Sequence, residues 1–218
     1  VLHGAFTDPS SADTPTLTWA VTASNGESVP GGSGPDFSFT PNDNGTYTVT
    51  FTVKDDDGGT TTAQVIVTVN NVAPTANAGP DQTVEEGKQV ALSGAFSDVS
   101  SRDTHTFLWK VSANNGQAVT DGTSQNFSFT PTDNGVYPIT FTVQDDDGGT
   151  ASDQVVVTVN NVAPQANAGA DQAVNEAQKV NLTVAITDAG SRDTFTLRWH
   201  VVASNGQSIP DSTAQNFS

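Results

Sequence analysis

The side chains in this chain best equipped for chemistry are aspartates, and they recur in register. Asp98 and Asp103 are matched by Asp8 and Asp13 and again by Asp188 and Asp193, while the run Asp145, Asp146, Asp147 ahead of Gly148-Gly149 has an earlier copy at Asp55 to Asp57. Two nearby carboxylates could act as a general acid and base. Clustered with amide oxygens, they instead form the hard ligand set that Ca2+ requires, about six to eight oxygens at roughly 2.3–2.6 Å. Recurrence separates the two chemistries, since an active site seldom repeats in every unit of an array and a structural device does. His3, His105 and His200 fall at three different positions of the repeat, so they define neither a catalytic triad nor a metal site. No glycine-rich phosphate loop follows a strand and opens a helix. No catalytic residue is assigned and no enzymatic activity is expected.

Charge narrows the partners. Seven Lys and Arg against 24 Asp and Glu give a net charge of -17. Such a surface repels phosphate backbones and anionic lipid and attracts divalent cations, so neither nucleic acid nor membrane insertion is expected. The chain has no cysteine, hence no disulfide and no thiolate ligand. No apolar run approaches the roughly 20 residues needed to cross a bilayer. A start at Val1-Leu2-His3, without Met, reads as a mature product or a segment of something longer.

The elements that must hold these aspartates are β-strands. Tyr137, Ile139, Phe141 and Val143 alternate with polar or imino residues, the period-2 pattern of a half-buried strand. Asp145 to Gly149 turns that strand, and Val155, Val157 and Val159 continue on the return, giving a hairpin with an acidic tip. Asp133-x-Gly135-x-Tyr137 matches the tyrosine corner that opens strand F of immunoglobulin-like sandwiches. Trp19, Trp109 and Trp199 recur every 90 residues, so the chain is a tandem array. The repeat boundaries expected are 1–71, 72–161 and 162–218, with the first unit lacking its leading strand and the third its last strands.

In the complete repeat the pattern predicts strand A within Ala76–Val84, B over Lys88–Ser97, C over Thr104–Ala113 and a short strand near Ala118. Strand E is expected over Asn126–Thr130, then F and G. Pro138, inside F, cannot donate to a ladder and predicts a bulge or an outward-facing position. Trp19, Trp109 and Trp199, with Tyr47 and Tyr137, are expected as structural core residues rather than sugar-stacking platforms. The fold class is all-β, a string of immunoglobulin-like sandwiches.

The segments Gly94-Ala-Phe-Ser-Asp98, Arg102-Asp-Thr-His-Thr106, Asn126 to Tyr137 and Asn160-Asn-Val-Ala-Pro164 resemble the PKD-type repeats of large bacterial surface proteins. That resemblance covers essentially the whole chain. It implies an extracellular or cell-surface spacer, adhesive stalk or fibre without catalysis. The Asn70-Asn71 linker is also similar to the Asn-rich joint of cadherin repeats, where calcium stiffens a string of domains.

An immunoglobulin-type path brings the B–C loop, the F–G loop and the entry of strand A to one end of each sandwich. At the first joint this gathers Asp98, Asp103, Asp145, Asp146, Asp147, Asn70 and Asn71 as a candidate Ca2+ site, with Asp188, Asp193, Asn160 and Asn161 equivalent at the second. The same acids could equally serve only as turn formers and solvating charge. Exposed strand edges at an incomplete repeat suggest pairing with copies of the same chain, in a rod or filament with inter-subunit strand complementation. Sequons at Asn44, Asn126, Asn181 and Asn216 admit attached glycans. The rival reading is an accessory carbohydrate- or protein-binding module of a secreted hydrolase.

Overall fold

The computed structural model describes residues 1–9 and 13–218. Every element among them is a strand, and none is a helix. The chain forms two compact units, Val1–Asn77 with Ala95–Phe107 and Thr142–Ser152, and Ala78–Gly94 with Leu108–Phe141 and Asp153–Ser218. Both units draw on the middle repeat, so each joint between successive repeats lies inside one unit.

In the first repeat the strands Gly32–Ser33, Thr16–Ala23, Gly45–Lys54 and Thr60–Val69 make a four-stranded sheet in that order, and Leu2–His3 pairs with Asp36–Phe37. Trp19 pairs across to Phe51, and Val49 to Val65. The alternation read from the sequence places Trp19, Phe37, Val49 and Phe51 together in one core. Trp19 stacks on Phe37 at 5.6 Å and leans on Phe51 at 4.5 Å. Its indole N–H donates to the Gly34 carbonyl at 2.9 Å.

The middle repeat builds the same core with Trp109 fully buried against Phe141 at 4.4 Å. Its sheet has the order His105–Val111, Gly135–Asp145, Thr150–Asn160, Gln82–Glu85, the last pair running parallel. That added strand covers the edge from Val157 to Asn160, and Val155, Val157 and Val159 are all buried. In the first repeat nothing described covers the matching edge, and Val65 and Ile66 stand 41% and 66% exposed.

Several expectations are corrected. Strand A is two strands, Thr75–Asn77 and Gln82–Glu85, because Gly79, at φ +85°, and Pro80 break it. Strand B divides at Gly94 into Val90–Ser93, paired with Asn126–Phe129, and Ala95–Ser97, paired with Thr75–Asn77. The break is where the chain changes sheets. A Cβ on Gly94 would lie 2.5 Å from the Phe141 ring, and the equivalent Gly4 stands at the same distance from Phe51. The short strand near Ala118 does not form; a single bridge joins Trp109 to Gly122 there. Pro138 makes no bulge. The Ser112 N–H still donates to its carbonyl at 2.9 Å, and strand C ends at Val111 because Pro138 has no N–H to return. In the first repeat Thr48 takes that place, and the strand runs on to Ala23.

The third repeat has the same start, with Gln165–Asn167 paired to Ala185–Thr187 and Leu182–Thr183 to Asn216–Phe217. Trp199 keeps its place, stacked on Phe217 at 5.9 Å, with its indole N–H on the Ala214 carbonyl at 2.9 Å.

Candidate functional site

The first joint gathers carboxylates from three loops. Asp98 and Asp103 lie between Ala95–Ser97 and His105–Val111. Asp98 Oδ1 accepts the Ser100 N–H at 3.2 Å and its Oδ2 meets His105 Nε2 at 2.9 Å, with the side chain 3% exposed. Asp103 Oδ1 accepts the Ser100 hydroxyl, while its buried Oδ2 has no hydrogen-bond partner. The Ser100 hydrogen bond draws the Asp103 pKa down, but burial and the charges of Asp98, Asp43 and Asp146 outweigh it and the net shift is upward.

The hairpin tip arrives from the other side. Asp145 is buried, with Oδ1 accepting the N–H of Asp147 at 3.1 Å and of Gly149 at 2.7 Å, and Oδ2 accepting the Asn71 amide at 2.9 Å. The Asn71 bond, assisted by the backbone N–H groups and opposed by burial, holds Asp145 below the usual aspartate range. Asp146 Oδ1 accepts the Thr104 N–H at 2.8 Å. Oxygens of Asp98, Asp103 and Asp145 lie within 4.8 Å of one another, as do those of Asp43, Asp103 and Asp147. Asn70 lines a shallow cavity of about 200 Å³ beside Asn44, Val99 and Ser100.

The second joint repeats part of this plan. Oxygens of Glu86, Asp133 and Asp193 lie within 4.8 Å of one another. Asp188 Oδ1 accepts the Gly190 N–H at 3.0 Å, and its Oδ2 is buried without a partner. The Asn160 carbonyl accepts the Glu86 N–H at 3.1 Å, and Glu86 Oε1 accepts the Val162 N–H at 2.7 Å. The Asn161 side chain faces both Asp193 and Glu86. Burial, then the charges of Asp188 and Asp133, raise the Asp193 pKa.

Five residues at the joints escaped the sequence reading: Asp43, Asp133, Arg102, Arg192 and Glu86. Arg102 Nε lies 3.4 Å from Asp43 Oδ2, and one period on Arg192 Nε lies 3.8 Å from Asp133 Oδ2. Their 90-residue spacing was a usable signal, masked because Asp43 and Asp133 also read as the turn of the tyrosine corner. Glu86 recurs one period on as Glu176, so the 90-residue spacing was a usable signal for it too.

These arrangements can hold a hard divalent cation with carboxylate and amide oxygens. The tryptophans cannot form a stacking platform for sugars in the first two repeats, since Trp19 and Trp109 are buried.

Residues 71–159 match the family model described as PKD domain, and residues 1–68 the one described as bacterial Ig domain. The mouse dyslexia-associated protein KIAA0319-like protein is 33% identical over 141 residues, covering 59% of this chain and 13% of that protein. The chain therefore spans a small part of that relative's length. Among solved structures, the three N-terminal domains of the bacteriophage RB49 highly immunogenic outer capsid protein are similar over 89% of this chain and 65% of that one, at 20% identity and TM-score 0.35. Human CDH23 EC21-23 is similar over 82% and 70%, at 15% identity and TM-score 0.38. Superpositions this loose place no residue of the chain by analogy.

Proposed function

We propose, for a chain that is a tandem array of Ig-like repeats of the PKD and bacterial Ig types, that it serves as a structural spacer in an extracellular or cell-surface protein, its joints stiffened by Ca2+. The observation that carries this reading is the recurrence at both joints of one device. An aspartate of the tyrosine corner in one repeat, Asp43 or Asp133, faces an arginine and an aspartate of the next, Arg102 and Asp103 or Arg192 and Asp193. Exposed ion pairs of this kind stabilise by at most about 1 kcal/mol. A cation shared between the carboxylates would instead tie the repeats through several bonds and offset their mutual repulsion.

The test is the melting of the intact chain in EDTA and in millimolar CaCl2. Binding to the folded form alone adds about 2.7 kcal/mol at a hundredfold excess over Kd, so Tm rises with calcium. An unchanged Tm removes calcium from the reading and leaves an Ig-like spacer.

The exposed edge at Val65 and Ile66 supports a finer reading, assembly by strand addition. The middle repeat covers the same edge with Gln82–Glu85 in parallel register. A strand of that sequence, from the same polypeptide or from another copy, would bury Val65 as Val155 is buried. Protection of the Thr60–Val69 amides from exchange on adding a peptide spanning residues 80–88 would support it. Unchanged exchange would discard it.

A further inference from the structure

We infer that Glu86, Asp133, Asp193 and Asn161 form a Ca2+ site at the second joint whose anchor is Glu86, a ligand drawn from outside the loops that gather the first-joint aspartates. The inference rests on the reading of the joints as cation-holding and identifies the ligands of one of them.

Glu86 is 1% exposed. Its Oε1 accepts the Val162 N–H, whereas its Oε2 is buried with no hydrogen-bond partner. A buried carboxylate oxygen left uncompensated is strongly unfavourable. That oxygen points at the cluster, because a Cβ built on Gly190 would meet Glu86 Oε2 and Asp193 Oδ2, each at 2.8 Å.

One substitution between the joints sharpens the contrast. At the first joint Ser100 occupies the position of Gly190, and its hydroxyl donates to Asp103. Gly190 donates no such bond to Asp193 and leaves room beside it. The Asn161 amide oxygen stands 3.2 Å from Asp193 Oδ2 and 3.1 Å from Glu86 Oε1, acceptor facing acceptor. Turning the amide over would satisfy those two oxygens with N–H groups and still leave Glu86 Oε2 unpartnered. A cation among the four side chains satisfies all of them at once. The ligands are oxygens from flexible carboxylates and an amide, the set suited to Ca2+.

The two orientations of Asn161 predict opposite effects of Asn161→Asp. If the amide donates, a carboxylate there adds repulsion and weakens everything nearby. If its oxygen is a ligand, the added charge tightens the site. The experiment uses the full chain, titrated with Ca2+ by calorimetry and with Tb3+ by luminescence, as wild type, Glu86→Gln, Asn161→Asp and Asp98→Asn. Tyr137, whose hydroxyl lies 2.7 Å from the Asp133 carbonyl, is placed to sensitise Tb3+ emission at this site.

The expected result is one class of site weakened at least tenfold by Glu86→Gln, tightened by Asn161→Asp and untouched by Asp98→Asn. Binding that Glu86→Gln leaves intact, or that Asn161→Asp weakens, overturns the assignment. Binding lost only in Asp98→Asn overturns it while preserving calcium at the first joint. No Ca2+ binding by the wild type overturns both. Should Glu86→Gln fail to fold, the sign of the Asn161→Asp effect decides alone.

Discussion

The hydroxyl of Tyr47 donates to Oε2 of Glu27 at 2.5 Å, and one period later Tyr137 donates to Oε1 of Gln117 at 2.8 Å. Each tyrosine also stands 2.7 Å from the carbonyl of the aspartate four residues before it, Asp43 or Asp133. Two repeats thus close the same corner, one with a carboxylate and one with an amide. The Tyr47 bond, with the Asn42 donors and against burial, lowers the Glu27 pKa; burial, then Glu27, raises that of Tyr47.

The first prediction concerns pH. A depressed folded pKa means that Glu27 contributes stability fully above the ordinary glutamate range, about pH 4.3, and loses it as pH falls through the lower folded value. Replacing it by the residue its sister repeat uses keeps the acceptor and removes the charge. Glu27→Gln should lower Tm at pH 7, and the gap to the wild type should close as pH falls below the ordinary glutamate range. A constant Tm gap across that range would show that the charge plays no part.

Deleting the second hydroxyl tests the corner without its charge. Tyr137 also accepts the Asn115 amide at 2.6 Å, so Tyr137→Phe strips partners from several part-buried groups. The expected cost is about 1–3 kcal/mol, read as a shift in the denaturation midpoint with an unchanged slope. A cost below a few tenths would mean water replaces the hydroxyl.

Much of this architecture is legible in the sequence. Tyr137, Trp109 and the acidic hairpin announce themselves through period-2 alternation, the 90-residue repeat and turn dipeptides, all of them local signals. The joints were legible only on one side. Asp98, Asp103 and Asp145 share a pole because the sandwich path requires it, whereas Asp43 reaches Arg102 only through the way one repeat abuts the next. The 90-residue recurrence of both residues marks them as a pair of interest, but it does not say that they touch. Strand A failed for a related reason: its halves pair with different strands, and the switch at Gly79-Pro80 reads in sequence as a mere loop.

The glycine at the sheet switch gives a packing prediction. Gly94→Ala puts a methyl group into the Phe141 ring, and overpacking of that kind costs about 1–3 kcal/mol. Combining it with Phe141→Leu should recover part of the loss, because the smaller side chain vacates the space. Purely additive losses in the double variant would locate the strain in the backbone instead.

The two acidic hairpins allow the linker contact to be weighed by itself. Asp55 and Asp145 both cap their turns, accepting the N–H of Gly59 at 2.6 Å and of Gly149 at 2.7 Å. Asp145 also holds a linker amide, that of Asn71. Asp55→Ala should therefore remove a turn contact, about 1 kcal/mol, and Asp145→Ala should cost more by the value of the Asn71 bond and the burial of the site. A double-mutant cycle of Asn71→Ala with Asp145→Ala isolates that term, expected near 1 kcal/mol in EDTA. The chelator matters, because a bound cation would add its own loss to every Asp145 variant. Equal costs for Asp55→Ala and Asp145→Ala, with no coupling to Asn71, would mean that the hairpin tip builds its turn and leaves the linker free.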